Sequence, residues 1–166
     1  MIVIADTSPV NYLVLIGEDE LLHQLYERVL IPPAVLGELL DPASPPRVLE
    51  WIRRHPPWLE VRKATVHLEY TARGLDLGER EALDLADENR PHALLLMDEE
   101  TGRKEARRRG LRTTGTLGIL DDASRRGLVD LGDALQRLRK TNFRASYDLF
   151  ERLMVRDSQR KKGATP

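Results

Sequence analysis

The sequence predicts an α/β domain built on a mainly parallel sheet. Three observations carry that prediction. Ile2-Val3-Ile4-Ala5 and Ala93-Leu94-Leu95-Leu96-Met97 are short, uninterrupted apolar runs, the pattern of strands buried on both faces. Short apolar runs alternate with amphipathic segments along the chain, as in successive βαβ units. Both apolar runs end on a single aspartate, Asp6 and Asp98. If the two strands lie parallel and adjacent, both carboxylates emerge at the carboxyl edge of the sheet, where open α/β folds bind ligands.

The elements follow in order. Residues 2–5 form the first strand. Ser8-Pro9 opens a helix to about residue 15, since Ser caps well and Pro suits the first turn. Asp19 to Glu27 is a second amphipathic helix with Leu21, Leu22 and Leu25 on one side. Val29-Leu30-Ile31 is a strand stopped by Pro32-Pro33. The next helix, Ala34 to Leu40, ends before Pro42, which disfavours helix at Asp41. Pro45-Pro46 starts a helix to Arg54, and Leu59 to Arg62 is an edge strand. Gly74 to Gly78 is a turn. Glu79 to Asn89 is a helix with Ala82, Leu83 and Ala86 on its apolar stripe. Residues 93–97 form the second aspartate-tipped strand. Glu99 to Arg109 is helical and stops at Gly110. Arg112 to Thr114 is a short strand. Thr116 caps a helix from Leu117 to Arg126, closed by Gly127. Two helices near Gly132–Lys140 and Ser146–Val155 complete a single domain over 1–156. Residues 157–166 are expected to be a disordered basic tail.

Composition excludes several functions. Without Cys there are no disulfides and no thiolate metal sites, and the four His are scattered, which argues against zinc. A net charge of −1 confines any nucleic-acid contact to local patches. No apolar stretch approaches the ~20 residues of a membrane span. The run beginning at residue 2 lacks a basic leader and is read as a strand, not a signal peptide. A cytoplasmic protein with no membrane contact is expected. No G-x-G-x-x-G follows the first strand, which disfavours a dinucleotide fold. Asp6-Thr7-Ser8 replaces the acidic pair that a phospho-accepting receiver would need.

Four acidic positions stand out by place. Asp6 and Asp98 end strands, and Glu38 lies on the helix after the second strand. Glu79 or Glu81 lies in the first turn of the helix before the Asp98 strand. In a parallel sheet they converge on one edge, and several carboxylates together suit hard cations such as magnesium or manganese. Each also has a plainer reading: Asp6 as a helix cap, Glu38 as a solvated helix residue. The basic run Arg103, Lys104, Arg107, Arg108, Arg109 and Arg112 reads mostly as a solvated face paired through Glu99–Arg103, Glu100–Lys104 and Glu105–Arg109. Arg103, one turn from the acids, is the exception expected to contact phosphate.

Five segments then resemble one family. Ile2 to Pro9 looks like the opening of a PIN-domain nuclease. Leu30-Ile31-Pro32-Pro33-Ala34-Val35-Leu36-Gly37-Glu38-Leu39 is similar to the family's strand, turn and helix. Leu75-Asp76-Leu77-Gly78-Glu79-Arg80-Glu81-Ala82-Leu83 resembles the "L-D-x-G-E-x-E-A" segment of one subgroup. Leu96-Met97-Asp98-Glu99, with Arg103, Ala106, Gly110-Leu111 and Gly115 to Leu120, resembles the same subgroup, as does the stretch Leu138 to Leu153.

The resemblance implies a three-layer α/β/α sandwich and a magnesium- or manganese-dependent endoribonuclease similar to VapC-like toxins. It places the catalytic acids on Asp6, Glu38, Glu81 and Asp98, and the metal-binding acids on these together with Glu79, with Glu81 preferred to Glu79 for the place on the intervening helix. The family's acid-alanine pair falls on Glu81, whereas helix geometry puts Glu79 on the inward stripe. Asp76 and Glu99 are neighbours of lesser weight. Ser8, Arg103 and Thr116 are candidates for contacts around the substrate. The implied partners are RNA, a small antitoxin and a second copy of the chain, with the apolar helices near 9–26 and 34–54 and Trp51 as interface surfaces. The competing class is a catalytically silent RNA-binding or protein-interaction module on the same fold.

Overall fold

The computed structural model describes residues 1–70 and 72–164. Its contacts divide the chain into two compact units, Met1–Thr116 and Leu117–Pro166.

The first unit is built on a five-stranded, all-parallel sheet. Its strands are β1 (Ile2–Ala5), β2 (Val29–Ile31), β3 (Leu59–Val61), β4 (Ala93–Leu96) and β5 (Arg112–Thr114). The spatial order is β3-β2-β1-β4-β5, so β3 is an edge strand, as its sequence predicts. Six helices connect them: α1 (Thr7–Leu15), α2 (Glu20–Tyr26), α3 (Pro33–Leu39), α4 (Pro46–Arg54), α5 (Leu77–Glu88) and α6 (Glu100–Arg108).

Topology explains the layers. From β1 the chain steps outward one way to β2 and β3, then crosses back and steps the other way to β4 and β5. The right-handed rule for such crossovers assigns the helices between β1, β2 and β3 to one face and α5 and α6 to the other, and α3 also packs against α5. The core follows this division: Ile4, Leu30, Leu95 and Met97 pack with Ala82, Leu83 and Ala86 of α5 and Ala106 of α6. The alternate residues Val3, Ala5, Val29, Ile31 and Leu96 are also buried, as a sheet covered on both faces requires. This is the α/β architecture the sequence predicts.

Two boundaries differ in ways that matter for the site. α1 begins at Thr7 with Asp6 in the capping position, rather than at Ser8-Pro9. α5 begins at Leu77, earlier than the predicted Glu79, because Asp76 and Glu79 form a capping box. The Asp76 carboxylate accepts the Glu79 amide at 2.8 Å, and Glu79 accepts the Asp76 amide at 2.9 Å. Gly110 closes its helix in the left-handed region, at φ +72°.

The second unit carries the remainder of α7 (Thr116–Arg125), with α8 (Leu131–Arg139) packed against α9 (Tyr147–Gly163). α9 runs through most of the stretch expected to be a disordered tail. Ion pairs explain the extension. The Asp157 carboxylate is buried and accepts from Ser124 Oγ at 2.9 Å. It also pairs with Arg160 at 3.3 Å and Lys161 at 3.0 Å. Arg160 reaches Asp121, and Lys161 reaches Asp130, each at 2.9 Å. Among the described residues no helix is long and apolar enough to cross a membrane.

Candidate functional site

The order β3-β2-β1-β4-β5 puts the topological switch point between β1 and β4, the position where such sheets open a crevice at their carboxyl edge. Ala5 pairs with Leu96, so the chain leaves both strands side by side. Asp6 follows directly, its amide bonded to Leu96 O at 2.9 Å. Asp98 follows one residue after Met97, whose amide bonds Thr114 O at 2.9 Å.

Asp6 is only 3% exposed. It sits in the capping position of α1, yet its side chain makes no capping bond, which removes the plainer reading of this residue. Burial is the main cause that pushes its carboxyl up to about 8, partly offset by the Thr7 amide and reinforced by the charges of Asp76, Glu79 and Glu38. Carboxylate oxygens of Asp6, Glu38 and Asp76 lie within 4.8 Å of one another, the one such His/Cys/Asp/Glu group among the described residues. Glu38 is half-buried on α3, accepts a hydrogen bond from Thr7 Oγ1 and lies over Gly78. A Cβ at Gly78 would stand 2.6 Å from Glu38 Oε1. The absence of a Cβ at Gly78, rather than any special backbone conformation, is what lets the Glu38 carboxylate occupy this position.

The remaining acids occupy distinct places. Glu79 is 3% exposed. Burial raises its pKa, as do the charges of Asp76, Glu99 and Glu38, and the Asp76 amide offsets part of that. Through the capping box it holds the turn that presents Asp76, and its charge also acts on Asp6. The Glu81 carboxylate is turned to α3 instead, with Oε2 accepting the Ala34 amide at 2.8 Å. Asp98 lies outside the three-acid group. Its two oxygens accept from the amide and Oγ1 of Thr116, both at 2.7 Å. Burial raises its pKa against those two bonds and the nearby charge of Arg103.

Gly115 leaves room for this pair of groups: a Cβ there would meet Asp98 Oδ1 at 2.7 Å and an Arg103 nitrogen at 3.5 Å. Arg103 Nε is buried without a hydrogen-bond partner. The Glu99–Arg103 and Glu100–Lys104 pairs expected from the spacing are replaced by Glu100–Arg107 at 2.8 Å. Glu105 binds Arg109 as expected, at 2.6 Å, and Arg108 as well, at 2.7 Å. Ser8 is half-buried in the first turn of α1, and Thr116 is fully buried.

The structure thus brings Asp6 and Glu38 together, adds Asp76, sets Asp98 beside Thr116 and Arg103, and directs Glu81 elsewhere. Asp76, a neighbour of lesser weight in the sequence, joins Asp6 and Glu38 in the acid group. The Asp-x-x-Glu capping box fixes Asp76 at the start of α5, and only the folded chain sets it beside Asp6 and Glu38.

These features define an α/β protein with a carboxylate cluster at the switch point of a parallel sheet. Residues 2–159 match the family model described as DUF3368: PIN domain. The chain belongs to this PIN-domain family, whose members are generally nucleases. No curated protein matches the chain by sequence.

Proposed function

We propose that the chain is a magnesium- or manganese-dependent endoribonuclease that hydrolyses RNA phosphodiester bonds. One observation carries this reading: carboxylates from β1, α3 and the start of α5, remote in sequence, lie within 4.8 Å. Three such groups repel when ionised, and the burial of Asp6 compounds the cost. A divalent cation relieves both. The donors are all carboxylate oxygens, which suits a hard cation such as magnesium or manganese better than zinc. Asp6, Glu38 and Asp76 would hold it, with Asp98 at the adjoining strand end. Such an ion supplies an activated water at neutral pH and offsets charge on the phosphoryl oxygens.

The chain's own residues do the rest. Thr7 Oγ1 orients Glu38, and Glu79 fixes the Asp76 turn through the capping box. Thr116 holds both oxygens of Asp98. Arg103 contributes positive charge beside Asp98, suited to a phosphate of the bound strand.

Cleavage of single-stranded RNA by the native chain and by Asp6→Asn, with manganese and with EDTA, tests the proposal. Manganese-dependent cleavage lost in Asp6→Asn is expected. EDTA-resistant cleavage, or equal cleavage by both forms, would sink it. RNA binding without metal binding or turnover would favour the silent-module reading.

The resemblance to VapC-like toxins supports a finer version, in which the chain is a cytoplasmic toxin held by a small antitoxin and working as a homodimer. Expression should then arrest cell growth while Asp6→Asn should not, and light scattering should give twice the chain mass. Unimpaired growth would remove the toxin role, and a strict monomer the dimer.

A further inference from the structure

α5 meets α3 at two points one helical turn apart. At the first, Gly78 leaves space for the Glu38 carboxylate, which a Cβ would crowd at 2.6 Å. At the second, Glu81 Oε2 accepts the Ala34 amide at 2.8 Å. Gly78 and Glu81 are three apart on α5, and Ala34 and Glu38 four apart on α3, so each pair shares a helix face.

The start of α3 explains why an outside acceptor is needed. Pro32 occupies its capping position, and no side-chain capping bond is made there. Pro33 follows at the first helical position and has no N–H to satisfy. Ala34 therefore carries the first helical amide that needs a partner. Glu81 supplies it from 47 residues away. Both groups are half-buried, where losing the acceptor costs more than at an open surface.

We propose that Glu81 is a positioning residue and not a metal ligand. By holding the Ala34 amide it fixes how far α3 lies along α5. That placement sets the Glu38 carboxylate over Gly78, beside Asp6 and Asp76. The proposal rests on the reading of those acids as the metal site, and it assigns to Glu81 a task that needs an acceptor oxygen but no negative charge.

Glu81→Gln and Glu81→Ala separate the two roles. A glutamine oxygen accepts the same amide, so Glu81→Gln should keep manganese affinity, measured by calorimetry, and kcat on RNA within about twofold of the native chain. Glu81→Ala should lower both by about tenfold or more while remaining folded by circular dichroism, because a small displacement of a positioned group is costly. Loss of manganese binding in Glu81→Gln as severe as in Asp6→Asn would make Glu81 a ligand and overturn the proposal. Unchanged affinity and kcat in Glu81→Ala, with only a lower Tm, would overturn it as well.

Hydrogen exchange of the Ala34 amide without metal keeps the test independent of the nuclease reading. It should be slow in the native chain and Glu81→Gln, and fast in Glu81→Ala. Equal exchange in all three would refute the contact. A native chain that neither binds manganese nor cleaves RNA would instead refute the proposed function.

Discussion

Gly78→Ala should make the protein more stable and less active at once. A Cβ at this position would lie 2.6, 2.8 and 2.9 Å from Oε1, Oε2 and Cδ of Glu38. Ordinary contact begins at 3.4 Å, so the carboxylate must retreat by about 0.8 Å or swing out of the acid group altogether. Displacements of about 1 Å in a positioned group cost roughly 10²-fold in rate. The glutamate is a long side chain able to move, so the fold itself loses little. Alanine in place of a helical glycine contributes up to ~1 kcal/mol of stability, a rise in Tm of about 2–4 °C for a chain of this size.

Gly37→Ala is the control. Gly37 lies next to Glu38 on α3, but a Cβ there would meet nothing within 4 Å. Thermal unfolding and RNA cleavage of the two variants should therefore diverge. Both gain stability, and only Gly78→Ala loses about 10²-fold in cleavage. Full activity in Gly78→Ala, or an equal loss in Gly37→Ala, would refute the reasoning that Glu38 must sit over α5.

Three further outcomes are expected. In EDTA, Asp6→Asn should unfold at a higher temperature than the native chain. The native carboxyl, pushed up to about 8 by burial, keeps its proton after the unfolded chain has lost it, so native stability falls as pH rises. The gap should open from about pH 4, reach a few kcal/mol near pH 8, and be absent from urea titrations only if Asp6 is not buried. Glu105→Gln should destabilise by about 1–3 kcal/mol. The Arg108 bond and then Arg109 hold the buried Glu105 carboxyl down at about 2, so its contribution is complete above the ordinary 4.5 and disappears as pH falls towards 2; a deficit independent of pH would contradict this. Arg103→Ala should raise KM for RNA with manganese affinity unchanged and flatten the salt dependence of binding by about one unit of slope, whereas an unchanged slope would exclude a phosphate contact.

Much of the arrangement is legible in the residues, for physical reasons. Asp6 and Asp98 stand out because a polar residue that abruptly ends a doubly buried apolar run must lie at a sheet edge. The strand order is not legible, since pairing of β1 with β4 is non-local, and only that pairing places the two aspartates at the switch point. Asp76 is obscured by its own local role: capping α5 accounts for an aspartate before Leu77 without any ligand. Glu81 is legible only in part. Its helix face can be read from spacing, but its partner, Ala34, belongs to another helix whose amide lacks an acceptor only because two prolines precede it. The tail misleads for a related reason. Arg160 and Lys161 resemble a solvated basic run until the folded chain sets them against Asp121, Asp130 and Asp157.

The central claim is that Asp6, Glu38 and Asp76 hold a divalent cation at the sheet edge. Anomalous scattering from crystals soaked in manganese tests it most directly. A peak within coordination distance of all three carboxylates, with Glu81 still bonded to Ala34, is the predicted result. No peak at this cluster, or a manganese ion coordinated by Glu81, would contradict the account.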